Sequence, residues 1–321
     1  MKQDLQVSPF EGTNVEPELA AFQMSVSARI QQMTGDDPTM EALRDAARAA
    51  RIDWSLTGPD IPRAATPDYG MPARLYRPAS AQQSSLLIYL HGGGWVMLDL
   101  DTHDRMMRTY ALQTGWSVLG LDYPLAPEMK FPENLLACAN AIERVIENAE
   151  AIGVNPDRII LGGDSSGANL ALSVALHRRD HRRRPLAGLL LSYGVFDSDL
   201  TRPSYQRFGQ PPYLLTRERI EFFWANYCKS DIDRTDPLAA PLRANAAALA
   251  GLPPVHLTVA GQDVLVDENL LLAKNLREAG VDVSLNVYEN AAHGFLEAVH
   301  HSPIANQAMA DTALWIKQLT G

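Results

Sequence analysis

The chain has 321 residues, 46% of them hydrophobic, and a formal net charge of −10. This length suits one large domain with an insertion, and the negative charge argues against nucleic-acid binding, which needs a cationic surface. The two cysteines lie far apart and outside any metal-binding spacing, so we expect buried reduced thiols, no metal and no cofactor. Without an apolar signal core or a run of membrane-spanning length, the sequence predicts a cytoplasmic protein with no membrane segment.

The pattern of apolar residues changes near Tyr69. Before it, helical spacing predicts helices over residues 16–33 and 38–50 and no strand. After it, strands and helices alternate, which predicts a largely parallel sheet covered by helices on both faces. The predicted strands are "MPARLYRP", "SLLIYLH", "WSVLGLDY", "DRIILGG", "LAGLLLSY", "VHLTVAG" and "VSLNVYE". The predicted helices between and after them are "THDRMMRTYALQTG", "PENLLACANAIERVIENAEAIG", "GANLALSVALHRR", "NLLLAKNLREAG" and "ANQAMADTALWIKQL".

The alternation stops between Asp197 and about Pro254, an interval too long for an ordinary connection. It contains the aromatic helical stretch "RERIEFFWANYC". We interpret it as an insertion at the carboxyl edge of the sheet, which forms a cap with the N-terminal helices. The expected division is 1–55 for the N-terminal part of the cap, 56–197 for the core, 198–245 for the cap insertion and 246–321 for the rest of the core.

The stretch "GDSSG" at 163–167 lies where a buried strand passes into a helix. A G-x-S-x-G motif in this context places the serine on a sharp, strained turn, with its hydroxyl above the sheet. Glycines flank the serine because side chains there would clash. A helix N-cap serine between ordinary turn glycines is the alternative, and two further features favour a nucleophile.

The first feature is the run His91-Gly92-Gly93-Gly94 directly after a predicted strand. Bare backbone amides at the carboxyl end of a strand suit an oxyanion hole, which binds the oxygen that becomes negative when a carbonyl is attacked. A flexible loop is the alternative interpretation.

The second feature is a base and an acid in the appropriate order, because a serine needs both to become a nucleophile. His293 follows the last predicted strand, and Asp263 follows the strand before it. The order Ser165, Asp263, His293 is that of the α/β-hydrolase triad. Asp267, which we expect to cap a helix, and Asp197, after another strand, are weaker candidates for the acid.

These motifs resemble the hormone-sensitive-lipase-like branch of the α/β-hydrolases, which includes bacterial acetyl esterases. The resemblance runs from about residue 60 onward and is carried by "HGGGW", "DTHD", "DYPLAPE", "GDSSG", "DVLVDE" and "HGF". It implies an α/β fold with a mostly parallel eight-stranded sheet flanked by helices and covered by a helical cap. It also implies Ser165 as nucleophile, Asp263 as acid and His293 as base, with an oxyanion hole formed by the amides of Gly93, Gly94 and Ser166.

Three positions depart from the family pattern. Ser166 replaces the usual alanine, which is tolerable because only its amide is needed. Pro124 replaces a usual arginine of structural role, so local support is expected to differ there. Asp99 replaces a glycine after the oxyanion loop and is expected to alter the pocket wall.

The resemblance implies hydrolysis of short-chain carboxylic esters, so the expected partner is a small-molecule ester. Aromatic residues that include Trp95, Phe222 and Trp224 either line an apolar substrate pocket or form the core of the cap. An amidase or lactonase on the same triad, a small-molecule receptor on the same fold and an inert interaction module remain alternatives. The last strand is expected at a sheet edge, where it would pair in a homodimer.

Overall fold

The computed structural model describes residues 13–35, 38–79 and 84–319. The prediction that the N-terminus has no apolar core of a signal peptide falls partly on residues 1–12, which lie outside the described residues. Within those ranges, no helix combines the length and the apolarity that crossing a bilayer requires.

Eight described strands form one sheet, as expected for the α/β-hydrolase fold. The strands are β1 (Arg63–Ala64), β2 (Ala73–Tyr76), β3 (Leu86–Leu90), β4 (Ser117–Leu121), β5 (Ile159–Asp164), β6 (Gly188–Ser192), β7 (Val255–Gln262) and β8 (Val283–Ala292). Their order is β1-β2-β4-β3-β5-β6-β7-β8. β1 and β2 run antiparallel to their neighbours and all other pairs are parallel, so β3 to β8 end at the same edge of the sheet.

The helices cover both faces of the sheet and one of its edges. They are α1 (Pro17–Met33), α2 (Met40–Ser55), α3 (Asp104–Thr114), α4 (Glu133–Glu147), α5 (Ser166–Asp180), α6 (Pro203–Phe208), α7 (Arg217–Tyr227), α8 (Ala246–Leu249), α9 (Val266–Glu278) and α10 (Pro303–Gln318). α3 ends at Gly115, which adopts the left-handed conformation (φ 72°), as its position in the sequence predicts.

Alternate residues of the central strands enter two separate hydrophobic clusters. Leu86, Ile88 and Leu90 of β3 pack with apolar residues of α4, α5 and α9. Leu87 and Tyr89 point to the opposite face, into a cluster with α3 and α10. Every residue of β3 is buried, which explains why the strand is a continuous apolar run without polar alternation.

The two N-terminal helices form a third cluster above the carboxyl edge of the sheet. Val26 and Ile30 of α1 pack there on alanines of α2, and Leu98 of the loop after β3 and Leu214 of the insertion contact the cluster. The N-terminal helices and the insertion thus share one apolar contact region. The division into core and cap at the boundaries given above stays a prediction.

Two local differences from the sequence prediction have simple causes. The predicted long helix ends at Glu147, and a short 3-10 turn over Glu150–Ile152 follows before Gly153. This tighter turn buries Ile152 and Val154 against the core, which a continued α-helix would direct differently. β1 was not predicted because two residues are too few to show a periodic pattern.

Candidate active site

The side chains of Ser165, His293 and Asp263 meet at the edge of the sheet where β5, β7 and β8 end. Nε2 of His293 lies 3.0 Å from Oγ of Ser165, and Nδ1 lies 2.7 Å from Oδ2 of Asp263. The Asp263 side chain is 1% exposed and the imidazole of His293 is 12% exposed. A buried carboxylate therefore faces one ring nitrogen while the other faces the hydroxyl, which is the geometry for proton transfer from the serine.

The backbone at Ser165 is strained. Its φ of 52° and ψ of −119° place this non-glycine residue outside the ordinary helical and strand regions. A Cβ at Gly163 would lie 2.4 Å from the carbonyl oxygen of Leu90, and one at Gly167 would lie 2.0 Å from the same atom. The glycines on both sides of the serine are thus required by the close approach of the end of β3.

The glycine-rich loop after β3 turns sharply beside the serine. Gly93 and Gly94 have φ values of 122° and 62°, and the amides of Val96 and Met97 both donate to the carbonyl oxygen of Gly93. A Cβ at Gly93 would lie 1.9 Å from the carbonyl oxygen of Met97, so only glycine fits.

Ser166 opens α5, and its side chain is fully buried. The amide N–H groups of Gly93, Gly94 and Ser166 have no hydrogen-bond acceptor within the described part of the chain. Such unpaired amides are what an oxyanion hole needs, and that role for the three residues remains a prediction.

A buried ion pair connects the glycine loop to the serine turn. The carboxylate of Asp164 accepts hydrogen bonds from the amide of Gly92 at 3.0 Å and the hydroxyl of Tyr89 at 2.8 Å. Nε2 of His103 lies 3.4 Å from the same carboxylate. Burial opposes both charged forms, but the facing charges outweigh it, so the pKa of His103 is raised and that of Asp164 is lowered. Sequence reasoning assigned neither residue a role, although both lie within the quoted "DTHD" and "GDSSG" motifs.

The two weaker candidates for the acid have structural contacts instead. Asp197 forms ion pairs with Arg202 and Arg243. Asp267 lies inside the first turn of α9 and accepts a hydrogen bond at 2.7 Å from the amide of Ser204, at the start of α6. The expectation that Asp267 caps its own helix is therefore wrong, because its carboxylate binds the N-terminal turn of a neighbouring helix.

Glu268 is a buried acid that sequence reasoning missed. It is fully buried, and its Oε1 accepts a hydrogen bond at 2.8 Å from the amide of Phe196. Burial, followed by the negative charges of Asp197 and Asp263, raises its pKa well above the usual range. The neutral form of Glu268 is therefore favoured close to Asp263.

The two N-terminal helices hold the loop that carries His293. Nε2 of Gln23 on α1 donates to the backbone carbonyl of His293 at 2.7 Å. From α2, Arg51 forms an ion pair with Glu297 at 2.6 Å, and the indole N–H of Trp54 donates to the carbonyl of Glu297 at 3.0 Å. The position of the imidazole thus depends on the N-terminal helices as well as on the sheet.

A cavity of about 110 Å³ lies over the serine. Apolar residues from the N-terminal helices, the glycine loop and the insertion form most of its wall. The lining residues are Ile30, Leu43, Ala47, Arg51, Gly93, Met97, Asp164, Ser165, Leu214, Leu215, Arg219, Phe222, Phe223, His293, Gly294 and Glu297.

The aromatic residues predicted for the pocket have separate locations. Phe222 lines the cavity, together with its neighbour Phe223. Trp95 and Trp224 do not line it, because both are fully buried, and Trp95 stacks on Tyr227 with ring centroids 4.1 Å apart. The prediction that these two tryptophans line the substrate pocket is therefore wrong, and they belong to the packed core.

Asp99 also lies away from the cavity wall. Its carboxylate accepts a hydrogen bond from the amide of Thr102 and forms an ion pair with Arg48 of α2 at 2.7 Å. It lines a separate depression on the surface. The expectation that this departure from the family pattern alters the pocket wall is therefore wrong.

Comparisons with known proteins identify the family and the fold. The sequence profile of the α/β-hydrolase fold matches residues 87–297. The carboxylic ester hydrolase LipN of Mycobacterium tuberculosis is 38% identical over 264 residues, which are 80% of this chain and 68% of that protein. The ethyl acetate hydrolase of Pseudomonas putida is 33% identical over 298 residues, which are 88% of this chain and 92% of that protein.

Solved structures of esterases have the same fold. The hyperthermophilic esterase of the archaeon Pyrobaculum calidifontis superposes with a TM-score of 0.85 at 27% identity, covering 95% of this chain and 98% of that one. A thermostable esterase of Pseudomonas putida gives a TM-score of 0.84 at 28% identity, with coverage of 96% and 98%. The chain is thus an enzyme of the α/β-hydrolase family and belongs to its esterase branch.

Proposed function

We propose that this protein is a serine carboxylesterase that hydrolyses esters of short-chain carboxylic acids. The observation that carries the proposal is the continuous contact from Asp263 through His293 to the hydroxyl of Ser165, with distances of 2.7 Å and 3.0 Å. The names of the relatives, an ethyl acetate hydrolase and several esterases, agree with the same class of substrate.

In the first half of the reaction, Oγ of Ser165 attacks the acyl carbon while Nε2 of His293 takes its proton. Asp263 fixes the imidazole in the required tautomer and stabilises the imidazolium that forms. The tetrahedral intermediate collapses when His293 gives the proton to the leaving alkoxide, which departs as the alcohol. In the second half, His293 takes a proton from a water molecule, and the resulting hydroxide attacks the acyl-enzyme. The second tetrahedral intermediate collapses when His293 returns the proton to Oγ of Ser165, which releases the carboxylic acid and regenerates the serine.

The unpaired amides of Gly93, Gly94 and Ser166 are proposed to bind the oxyanion of both tetrahedral intermediates. They are backbone groups in a fixed turn, so little reorganisation is needed when the charge develops. Loss of one such donor typically costs about 2.7–4 kcal/mol of transition-state stabilisation.

Cavity size supports a short acyl group. A cavity of about 150 Å³ is known to hold one benzene molecule, and the space over Ser165 is about 110 Å³. An acetyl or butyryl group fits such a volume, whereas a long acyl chain would have to extend beyond it.

The test is turnover of p-nitrophenyl acetate, butyrate and decanoate by the wild type and by Ser165→Ala, with Ser230→Ala as the matched control at an exposed serine. We expect hydrolysis of the two short esters, weak hydrolysis of the decanoate, and loss of activity in Ser165→Ala alone. Equal rates in Ser165→Ala and the wild type would disprove the nucleophile. Cleavage of p-nitroacetanilide as fast as p-nitrophenyl acetate would favour the amidase alternative, and tight ligand binding without turnover would favour the receptor.

A further inference from the structure

The catalytic cavity adjoins a larger groove between α1 and the insertion. This groove has a volume of about 810 Å³ and is lined by residues of α1, by Thr34 and by residues 211–214, 216, 218 and 219. Three residues, Ile30, Leu214 and Arg219, line both spaces, and the boundary that they form is here called the neck. A substrate group that extends from the cavity towards the groove therefore meets Arg219.

Arg219 differs from the other charged residues of the inner cavity in having no partner of opposite charge among the described residues. The carboxylate of Glu297 is paired with Arg51, and the carboxylate of Asp164 faces His103. The guanidinium of Arg219 makes one hydrogen bond, from Nη1 to the carbonyl oxygen of Leu214 at 2.8 Å. This contact leaves the remaining N–H groups of Arg219 available to a ligand.

The surroundings of Arg219 favour an anion. Arg219 is exposed to solvent as a residue. Local removal of its guanidinium from water and, after it, the positive charge of Arg51 lower its pKa, so a nearby cation disfavours its charged form. A carboxylate at the neck would remove this disadvantage, and the planar guanidinium matches its two oxygens. Glu218, the adjacent acid, lines only the outer groove, whereas Arg219 also lines the cavity over Ser165.

We propose that Arg219 is a specificity-determining residue that binds a carboxylate on the alcohol portion of the substrate. The preferred substrates are then short-chain acyl esters of hydroxy acids, with the acyl group in the inner cavity and the carboxylate at the neck. This inference rests on the proposed esterase function and adds the chemical class of the alcohol.

The experiment compares each carboxylate ester with a neutral analogue of similar shape. The kcat/KM values of meta- and para-acetoxybenzoate are divided by those of meta- and para-acetoxybenzamide, so that changes common to both substrates cancel. In Arg219→Gln we expect this ratio to fall about tenfold or more for at least one isomer, since a charge-assisted hydrogen bond is lost. Arg219→Lys keeps the charge without the planar fork and should retain part of the preference.

Arg217→Gln is the matched control, because Arg217 is an exposed arginine of the same helix that lines neither space. Its ratio should equal that of the wild type. High salt should shrink the difference between Arg219→Gln and the wild type, since screening weakens the ion pair. The inference would be overturned if the ratios in Arg219→Gln were unchanged for both isomers while the acetyl esters of the two benzamides were still hydrolysed. The esterase function would then stand. No hydrolysis of any of the four esters by the wild type would contradict both.

Discussion

Gly94→Ala tests whether the glycine loop and the insertion fit together as the structure indicates. A Cβ on Gly94 would lie 2.3, 2.4 and 2.5 Å from three carbon atoms of the Phe223 ring. Gly94 also has φ +62°, a conformation that costs a residue with a side chain about 1 kcal/mol. Overpacking typically adds about 1–3 kcal/mol. We therefore expect the free energy of unfolding to fall by about 2–4 kcal/mol.

The same substitution should lower kcat/KM by about 100-fold or more, because a displaced Gly94 no longer presents its amide to the oxyanion. Unfolding in urea measures the first effect and hydrolysis of p-nitrophenyl acetate measures the second. A double-mutant cycle separates the causes, since Phe223→Ala removes the ring that the new methyl group would meet. In that background Gly94→Ala should cost only the backbone strain, about 1 kcal/mol.

Phe222→Ala is the control, because the three nearest atoms to the added Cβ all belong to Phe223. Gly94→Ala should keep its full cost in that background. If its cost is the same in the Phe222→Ala and Phe223→Ala backgrounds, steric conflict with the insertion is not the cause and the packing argument fails.

Three further predictions concern the groups around the triad. Gln23→Leu removes the bond to the carbonyl of the triad histidine and should lower kcat about tenfold with little change in KM, as measured by steady-state kinetics. Asp164 raises the pKa of His103, so their ion pair should lose its contribution to stability as the pH rises from about 6.5 through that raised value. Urea unfolding across this range should therefore show a steeper loss in wild type than in His103→Gln. Asp263→Asn should lower kcat by about 10⁴-fold, whereas Asp267→Asn should keep kcat within the wild-type order of magnitude and lower the Tm.

Each of these predictions has an outcome that contradicts it. An effect of Gln23→Leu on KM alone would show that the residue shapes substrate binding and does not position the histidine. Parallel pH–stability curves would mean that His103 carries no extra proton in the folded state. Similar kcat losses in the two aspartate variants would leave the triad acid unassigned.

The order of the main elements was predictable because strands buried on both faces are nearly all apolar. Leu86 to Leu90 form such a run, and each neighbouring helix carries a stripe that packs on it. The fold prediction is confirmed for this reason. Residues that follow different parallel strands meet at one edge of the sheet, so Ser165, Asp263 and His293 were expected to lie together.

Roles that depend on which way a side chain faces were not predictable. Nothing in "RERIEFFWANYC" tells that Phe222 lines a cavity while Trp224 enters the core, since both are large and apolar. Asp267 stands where a helix cap is expected, but its carboxylate accepts a hydrogen bond from the amide of Ser204 at the start of α6, 63 positions away in the chain. Gln23 and Arg219 lie on helices whose orientation over the sheet only tertiary packing determines, so the sequence held no signal for either.

The N-terminal helices both form part of the cavity wall and support the loop that carries His293. Ile30 and Ala47 form part of the cavity wall, and Gln23 and Arg51 on the same two helices hold the loop of the triad histidine. Because a packed helix moves as a unit, we expect a change that shifts α1 or α2 to move His293 as well as the cavity wall. The wall contributed by Phe222 has no such connection to the histidine loop among the described contacts. We therefore expect cavity shape and the position of His293 to be coupled through α1 and α2, whereas Phe222 changes the cavity wall alone.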